Sequence, residues 1–261
     1  MARYLKLYLA FVRNCAVREM ESRGNFVVGV LVIFCFPLFP LLLVGAIYQQ
    51  TKVLGGWTMY EYFMLVGSFQ ILSALVYTFF TRNIFNMPEY IRKGELDFYL
   101  LKPVNSQFLL STRYVSFTEL SQALPGTILV IIGAVNSNLD IEWWRWPLYV
   151  VFLFCGLIIT YSIWFMLVLP CIWMVKLDSI EFFFGLFDTA RYHPNMFGGI
   201  VKILMTYVLP LGVVAATPAD LLTKRLDWTG AIWAFVAAIG LLYLSSRFWR
   251  FAQSRYYGAS S

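Results

Sequence analysis

Histidine is nearly missing from this sequence: His193 is the one copy among 261 residues. A single imidazole with no acid or nucleophile near it along the chain makes a poor catalytic centre. The motifs GxxxxGK[ST], HExxH and GxSxG are missing too, which excludes a P-loop for nucleotide phosphates, a zincin helix and a nucleophile elbow. The four cysteines, Cys15, Cys35, Cys155 and Cys171, show neither CxxC nor Cys/His ligand spacing and read as packing residues. Charge is also scarce, at 13% of residues against about 25% in an ordinary soluble domain. No catalytic residue, metal ligand or cofactor is expected in the chain itself.

What is present is apolar. Hydrophobic residues make up 60% of the chain and the mean hydropathy is +0.70, the composition of a membrane protein. Six stretches are long and apolar enough to cross a bilayer: Phe26–Tyr48, Tyr60–Phe80, Phe108–Val135, Pro147–Val175, Ile200–Ala216 and Trp228–Phe248. Continuous runs of this length exclude the ten-residue alternating strands of a membrane barrel, so the fold is predicted to be all-α, an integral membrane protein with six transmembrane helices. The whole chain, 1–261, reads as one transmembrane domain that keeps its N-terminus.

Sidedness follows from Lys and Arg. With the N-terminus inside, sixteen of the twenty fall on the inner side, among them Lys176, Arg191 and Lys202, while Lys52, Arg145, Lys224 and Arg225 fall outside. Both termini are therefore expected in the cytoplasm. The net charge of +6 is a consequence of topology and calls for no nucleic-acid partner. Residues 1–25 are too charged to span, yet Leu5, Tyr8, Leu9, Val12 and Ala16 share one helical face, with Leu7 and Phe11 off it. An interfacial helix on the inner leaflet is the expectation.

Some features interrupt this pattern. The third stretch carries Arg113, Glu119 and Pro125, so its first turns should project into the cytoplasm. The fourth would be about 43 Å long, against a core of about 30 Å, and must tilt, kink near Pro170 or leave the membrane. Ionisable groups at membrane depth are functional candidates, so Arg113 and Glu119 are carried forward as pathway or inner-gate residues, while Glu61 is read as snorkelling to the outer surface. The aromatic run 181–187 reads as a second cytoplasmic interfacial segment.

The loop 81–107 stands out. It contains EYIRKGELDFYLLKPVN, in which Asn86 can cap a short helix, Pro88 fits its first turn and Gly94 can end it. After Gly94, Leu96, Tyr99 and Leu100 follow helical spacing while Glu95, Asp97 and Lys102 present charge. A water-facing amphipathic helix needs something to pack against, and the spans leave little soluble mass in this chain. A separate protein is the expected partner.

These residues carry a resemblance. The string IRKGELDFYLLKPVNSQF, with Gly94, Leu96, Asp97, Leu100, Leu101, Lys102, Pro103 and Asn105, and the later VLPLGVVAATPADLL, with Pro210 and Pro218, resemble the permease subunits of bacterial ATP-binding-cassette exporters of the type-2 permease superfamily. The resemblance implies an N-terminal interfacial helix, six spans and a short cytoplasmic coupling helix that docks on a separate ATPase subunit, which binds the ATP. It implies that Gly94, Glu95, Leu96, Asp97, Leu100, Lys102 and Pro103 form the ATPase-coupling segment, with apolar side chains as anchors and charges at the rim. It further implies a second copy or a sister permease as partner, a bacterial inner membrane location, and for 217–227 an outer loop or a re-entrant segment, with Pro210 and Pro218 as gate candidates. Two rivals remain at this point: a scaffold that recruits a cytoplasmic partner without transport, and a membrane-embedded enzyme.

Overall fold

In an apolar setting the backbone polar groups must be satisfied within the chain, and helices do this segment by segment. The computed structural model describes residues 2–21, 23–35, 38–174, 185–208 and 210–256 and is helical accordingly. Its helices are α1 (Ala2–Glu21), α2 (Arg23–Cys35), α3 (Leu38–Gln50), α4 (Met59–Arg92), α5 (Leu96–Leu100), α6 (Ser106–Thr112), α7 (Phe117–Asn136), α8 (Arg145–Ile172), α9 (Gly199–Tyr207), α10 (Leu211–Leu222) and α11 (Trp228–Ser254). Among the described residues α4, α7, α8 and α11 are long and apolar enough to cross a membrane. The pair α9 and α10, bent by 88°, makes a fifth if it is one span.

The described residues thus contain four or five candidate spans where six were expected. The first, Phe26–Tyr48, is built as α2 and α3, each of 13 residues and so about 20 Å long; residues 36–37 lie outside the described residues. The second runs on to Arg92 as a 34-residue helix, through a π-helical turn at Tyr77–Thr81. Its last part is the expected short helix, Met87–Arg92, with Asn86 at the N-cap position and Pro88 in its first turn, but the Asn86 side chain makes no capping bond: its backbone is helical and its N–H donates to the Arg82 carbonyl at 3.3 Å, so the helix runs on without a break. Gly94 does end it, at φ 71°, a conformation glycine takes without steric cost. The third expected span is divided at 113–116, so that α6 stands apart and the crossing length begins at Phe117. The fourth changes to a 3-10 turn at Leu169–Ile172, with Pro170 at its start.

Helices α4 and α7 meet along a glycine seam. A Cβ on Gly67 would lie 2.6 Å from the Gly126 carbonyl oxygen, one on Gly126 2.9 Å from the Gly67 carbonyl oxygen, and one on Gly133 2.6 Å from the Tyr60 carbonyl oxygen. Small residues let backbones approach closely where lipid offers no hydrophobic drive for helix association. Behind α4, the helices α8, α10 and α11 close around a core that includes Leu72, Val76, Ile159, Trp164, Phe165 and Val214.

The bundle has two ends. At the upper end Arg145 Nη1 donates to the Leu221 carbonyl at 2.7 Å, and Arg225 Nη1 to the Gly56 carbonyl at 2.7 Å. At the lower end Trp173 stacks beside Phe248, and Tyr4 accepts from the Asn105 N–H at 3.2 Å. The sidedness expected for one loop is corrected here. Arg191 was assigned to the inner side, but His193, two residues on, lies against Trp57 and Asp220 at the upper end, and Arg191 sits over the Phe69 ring. The chain has therefore reached the upper end by residue 193, and Ile200–Ala216 is not a straight crossing. The bend falls between α9 and α10, at Pro210, whereas 217–227 begins inside α10. Of the run 181–187, residues 181–184 lie outside the described residues; Phe187 is fully buried against Phe69 and Trp164.

Candidate functional site

The lower segment 94–105 is short because its ends are chemically marked. Gly94 turns the chain out of α4, and the Asn105 side chain accepts the Phe108 N–H at 3.0 Å to start α6. Between them α5 is a little over one turn long, and its two faces differ. Leu96 is 0% exposed and Tyr99 4%, in the same buried cluster as Met87, Tyr90, Leu109 and Leu110, while Phe98 is 69% and Leu101 81% exposed. The sequence named Leu96 as an outward anchor; its side chain instead points into the chain, because the lower end of α4 supplies the apolar mass thought to be missing. Leu100 is half-buried against the same cluster. Phe98 and Leu101 are the apolar groups free to meet a partner, with Lys102 and Pro103 exposed beside them. Glu95 occupies the position before α5. Asp97 faces the C-terminal segment, where burial and then the Asp97 carboxylate hold the Tyr256 phenol above its usual range.

The buried side of α5 is tied to the crossing helices through a chain of polar contacts. Arg113 donates to the Tyr99 hydroxyl and lies over the Tyr99 ring. From α6, Ser111 and the Tyr161 hydroxyl are 2.8 Å apart, Gln107 donates to Tyr161 at 3.2 Å, and Ser106 accepts from Trp249 at 3.1 Å and from Gln253 at 2.6 Å. These groups satisfy one another, as buried polar groups must. They fasten α6 to both α8 and α11. The break after Arg113 is equally well satisfied: Asn83 donates to the Tyr114 carbonyl and accepts the Tyr114 N–H, each at 2.8 Å, and Ser116 donates to the Thr78 carbonyl at 3.0 Å. Helix α1 completes it. The Glu19 carboxylate accepts the N–H groups of Phe117 and Thr118 at 3.0 and 3.1 Å, capping α7 from outside, and Cys15 Sγ accepts the Val115 N–H at 3.4 Å.

Of the other sequence candidates, Glu119 lies in the first turn of α7 with its carboxylate 3.4 Å from Gln122 Nε2. Pro210 precedes α10 at the 88° bend. Pro218 lies inside α10, where its missing N–H leaves the Val214 carbonyl without a helical partner. Gly156 of α8 fills that spot: a Cβ there would be 2.7 Å from the Val214 oxygen.

The upper end holds a network that sequence reasoning missed. Glu61 was expected to snorkel, yet it is 7% exposed: it accepts from the Thr58 N–H at 2.8 Å and from Arg225 Nη2 at 2.8 and 2.9 Å. Arg225 in turn lies over Trp57 at 5.0 Å. His193 does have an acid beside it, Asp220, at 3.1 Å from Nε2; because Nδ1 accepts the Asn195 N–H, the proton sits on Nε2 and is donated to Asp220. No local pattern joins residues 27 positions apart. The network links the starts of α4 and α11 to the end of α10.

No curated protein matches the chain at a significant level. A family model described as ABC-2 family transporter protein matches residues 34–260, nearly the full length. With several apolar crossing helices and a polar segment at the lower end, the chain belongs to the ABC-2 family of transporter proteins, as a multi-pass membrane permease.

Proposed function

We propose that the chain is the membrane-spanning subunit of an exporter that works as a dimer and is driven by separate cytoplasmic ATPase subunits. The lower end faces the cytoplasm, where most of the Lys and Arg of this chain lie. Segment 94–103 is the docking site, with Phe98 and Leu101 as anchors and Glu95 and Lys102 at the rim. The observation that carries this reading is the two-sidedness of α5: an exposed apolar face outward, and inward an unbroken set of contacts through Tyr99, Arg113 and α6 to α8 and α11. Force applied to Phe98 and Leu101 reaches two crossing helices through groups that are already packed. ATP binding in the partner favours one arrangement of the helices over the other, which is differential binding to two states.

The finer topology proposed is six crossings. Helices α2 and α3 together make the first, α4, α7 and α8 the next three, and α11 the last. Helices α9 and α10 then dip in from the upper side and return: Thr206 accepts from Trp233 five residues into α11, and Leu221 is held by Arg145 at the start of α8. Helix α1 lies on the inner leaflet with Leu5 and Leu9 toward lipid and Leu7 and Phe11 against the bundle. Cargo passes between the two permease copies.

The test is reconstitution. The chain, affinity-purified from its own cells, should bring down a P-loop ATPase whose turnover changes on reconstitution with it, and the pair should move cargo into inverted vesicles only with ATP. A chain that purifies without any ATPase, or that leaves the ATPase turnover unaltered, overturns the reading.

A further inference from the structure

Three arginines from three different elements converge on one aromatic ring at the lower end. The guanidinium carbons of Arg18 on α1, Arg82 on α4 and Arg113 after α6 lie 5.5, 5.2 and 5.3 Å from the centroid of Tyr114. All three side chains are on the exposed surface, and no ion pair joins any of them to a carboxylate among the described residues. Glu19, the acid next to Arg18 on α1, is committed to the N–H groups of Phe117 and Thr118. Beside the cluster is a cavity of about 320 Å³ lined by Phe11, Asn14, Cys15, Arg18, Arg113 and Tyr114.

Like charges this close repel, and one ring quadrupole cannot neutralise three of them. An anion would. Guanidinium groups present paired N–H donors that match the oxygens of a phosphate, and several converging on one point is the arrangement such a group selects. The cavity is apolar on its Phe11 and Tyr114 sides and cationic at Arg18 and Arg113, which suits a charged head attached to a hydrophobic body. It sits on α1, the amphipathic helix of the basic end, where an anionic leaflet would lie. We infer that Arg18, Arg82 and Arg113 around Tyr114 form a binding site for a phosphate-bearing anion, the headgroup of an anionic phospholipid. The site does not depend on which cargo the permease moves.

Arg113 also donates to Tyr99, so the test spares it and uses Arg18→Gln with Arg82→Gln, two exposed side chains for which the ring is the one contact described. The full-length chain in detergent is titrated with dioleoyl phosphatidylglycerol, with dioleoyl phosphatidylcholine and with sodium phosphate, and bound adducts are counted by native mass spectrometry. At about fivefold per basic residue, the double variant should bind phosphatidylglycerol about 25-fold more weakly, with phosphatidylcholine unchanged. Arg18→Lys with Arg82→Lys should keep most of the affinity, which separates charge from folding. Adducts of sodium phosphate that the double Gln variant loses, with no preference between the lipids, would assign the same arginines to free phosphate. If wild type and the double Gln variant take up phosphatidylglycerol and phosphate equally, the site does not exist.

Discussion

Truncating the exposed face of α5 should uncouple the chain from its ATPase without unfolding it. Phe98 and Leu101 are 69% and 81% exposed, so replacing both with Ala removes little that the folded chain uses. On docking each would be desolvated, and full burial of such a side chain contributes about 1.5–3 kcal/mol. Losing two therefore costs at least about 3 kcal/mol of binding, more than a hundredfold in Kd at about 1.4 kcal/mol per decade. The assay is a titration of the ATPase against the chain in lipid nanodiscs, followed by ATP turnover of the complex and by thermal unfolding of the chain alone. Phe98→Ala with Leu101→Ala should weaken binding more than a hundredfold and leave Tm in place. Leu96→Ala, at a fully buried position, should do the reverse and lower stability by about 2–5 kcal/mol. The reasoning fails if the double variant binds and stimulates the ATPase like wild type, or if Leu96→Ala abolishes binding with Tm unchanged.

Other positions can be tested in the same preparation. Gly67→Ala or Gly126→Ala places a methyl group within 3 Å of a backbone oxygen on the facing helix, so α4 and α7 must part and stability should fall by about 1–3 kcal/mol in thermal unfolding. Gly156→Ala meets the Val214 oxygen at 2.7 Å and should push α10 off α8, which thermal unfolding would read as a lower Tm. Glu61→Gln leaves Arg225 without its carboxylate and should cost about 1–3 kcal/mol, whereas adding Arg225→Gln should restore part of that loss in a double-mutant cycle. Tyr256 is a neutral acid whose folded pKa is raised, so its contribution is present below the ordinary tyrosine range and fades as pH climbs through the folded value; Tyr256→Phe should flatten the alkaline limb of the stability profile.

The parts legible in the sequence are those governed by short-range physics. Long apolar runs between Trp and basic residues mark crossing helices, and α8 and α11 begin within two residues of their expected starts, at Arg145 and Trp228. Gly94 ends α4 because a left-handed turn is a decision made by a few neighbouring residues; the Asn105 cap of α6 obeys the same local rule but was not anticipated, the segment being expected to close at Lys102 and Pro103. The position of the short helix after Gly94 could thus be read directly. Its orientation could not: helical spacing groups Leu96, Tyr99 and Leu100 on one face, but whether that face turns inward depends on Met87 and Tyr90 at the lower end of α4 and on Leu109 of α6, which no local pattern places beside it.

The same limit explains the upper end. The positive-inside rule weighs loops by their charge, and Lys176, Arg191 and Lys202 were enough to assign their loop to the cytoplasm. Charge bias is a sum over many residues, so it settles the orientation of a bundle, while one short segment can be held against it by specific contacts. His193 sits among Trp57, Asp220 and the Asn195 N–H, and Phe187 is fully buried between Phe69 and Trp164. A buried aromatic side chain contributes about 1.5–3 kcal/mol, against about 1 kcal/mol for a cation beside an anionic leaflet, and Arg191 is itself half-buried and paired with Asp188, so the packing outweighs the charge bias of this loop. Where a loop carries only one or two basic residues and several aromatics, the packing term decides its side.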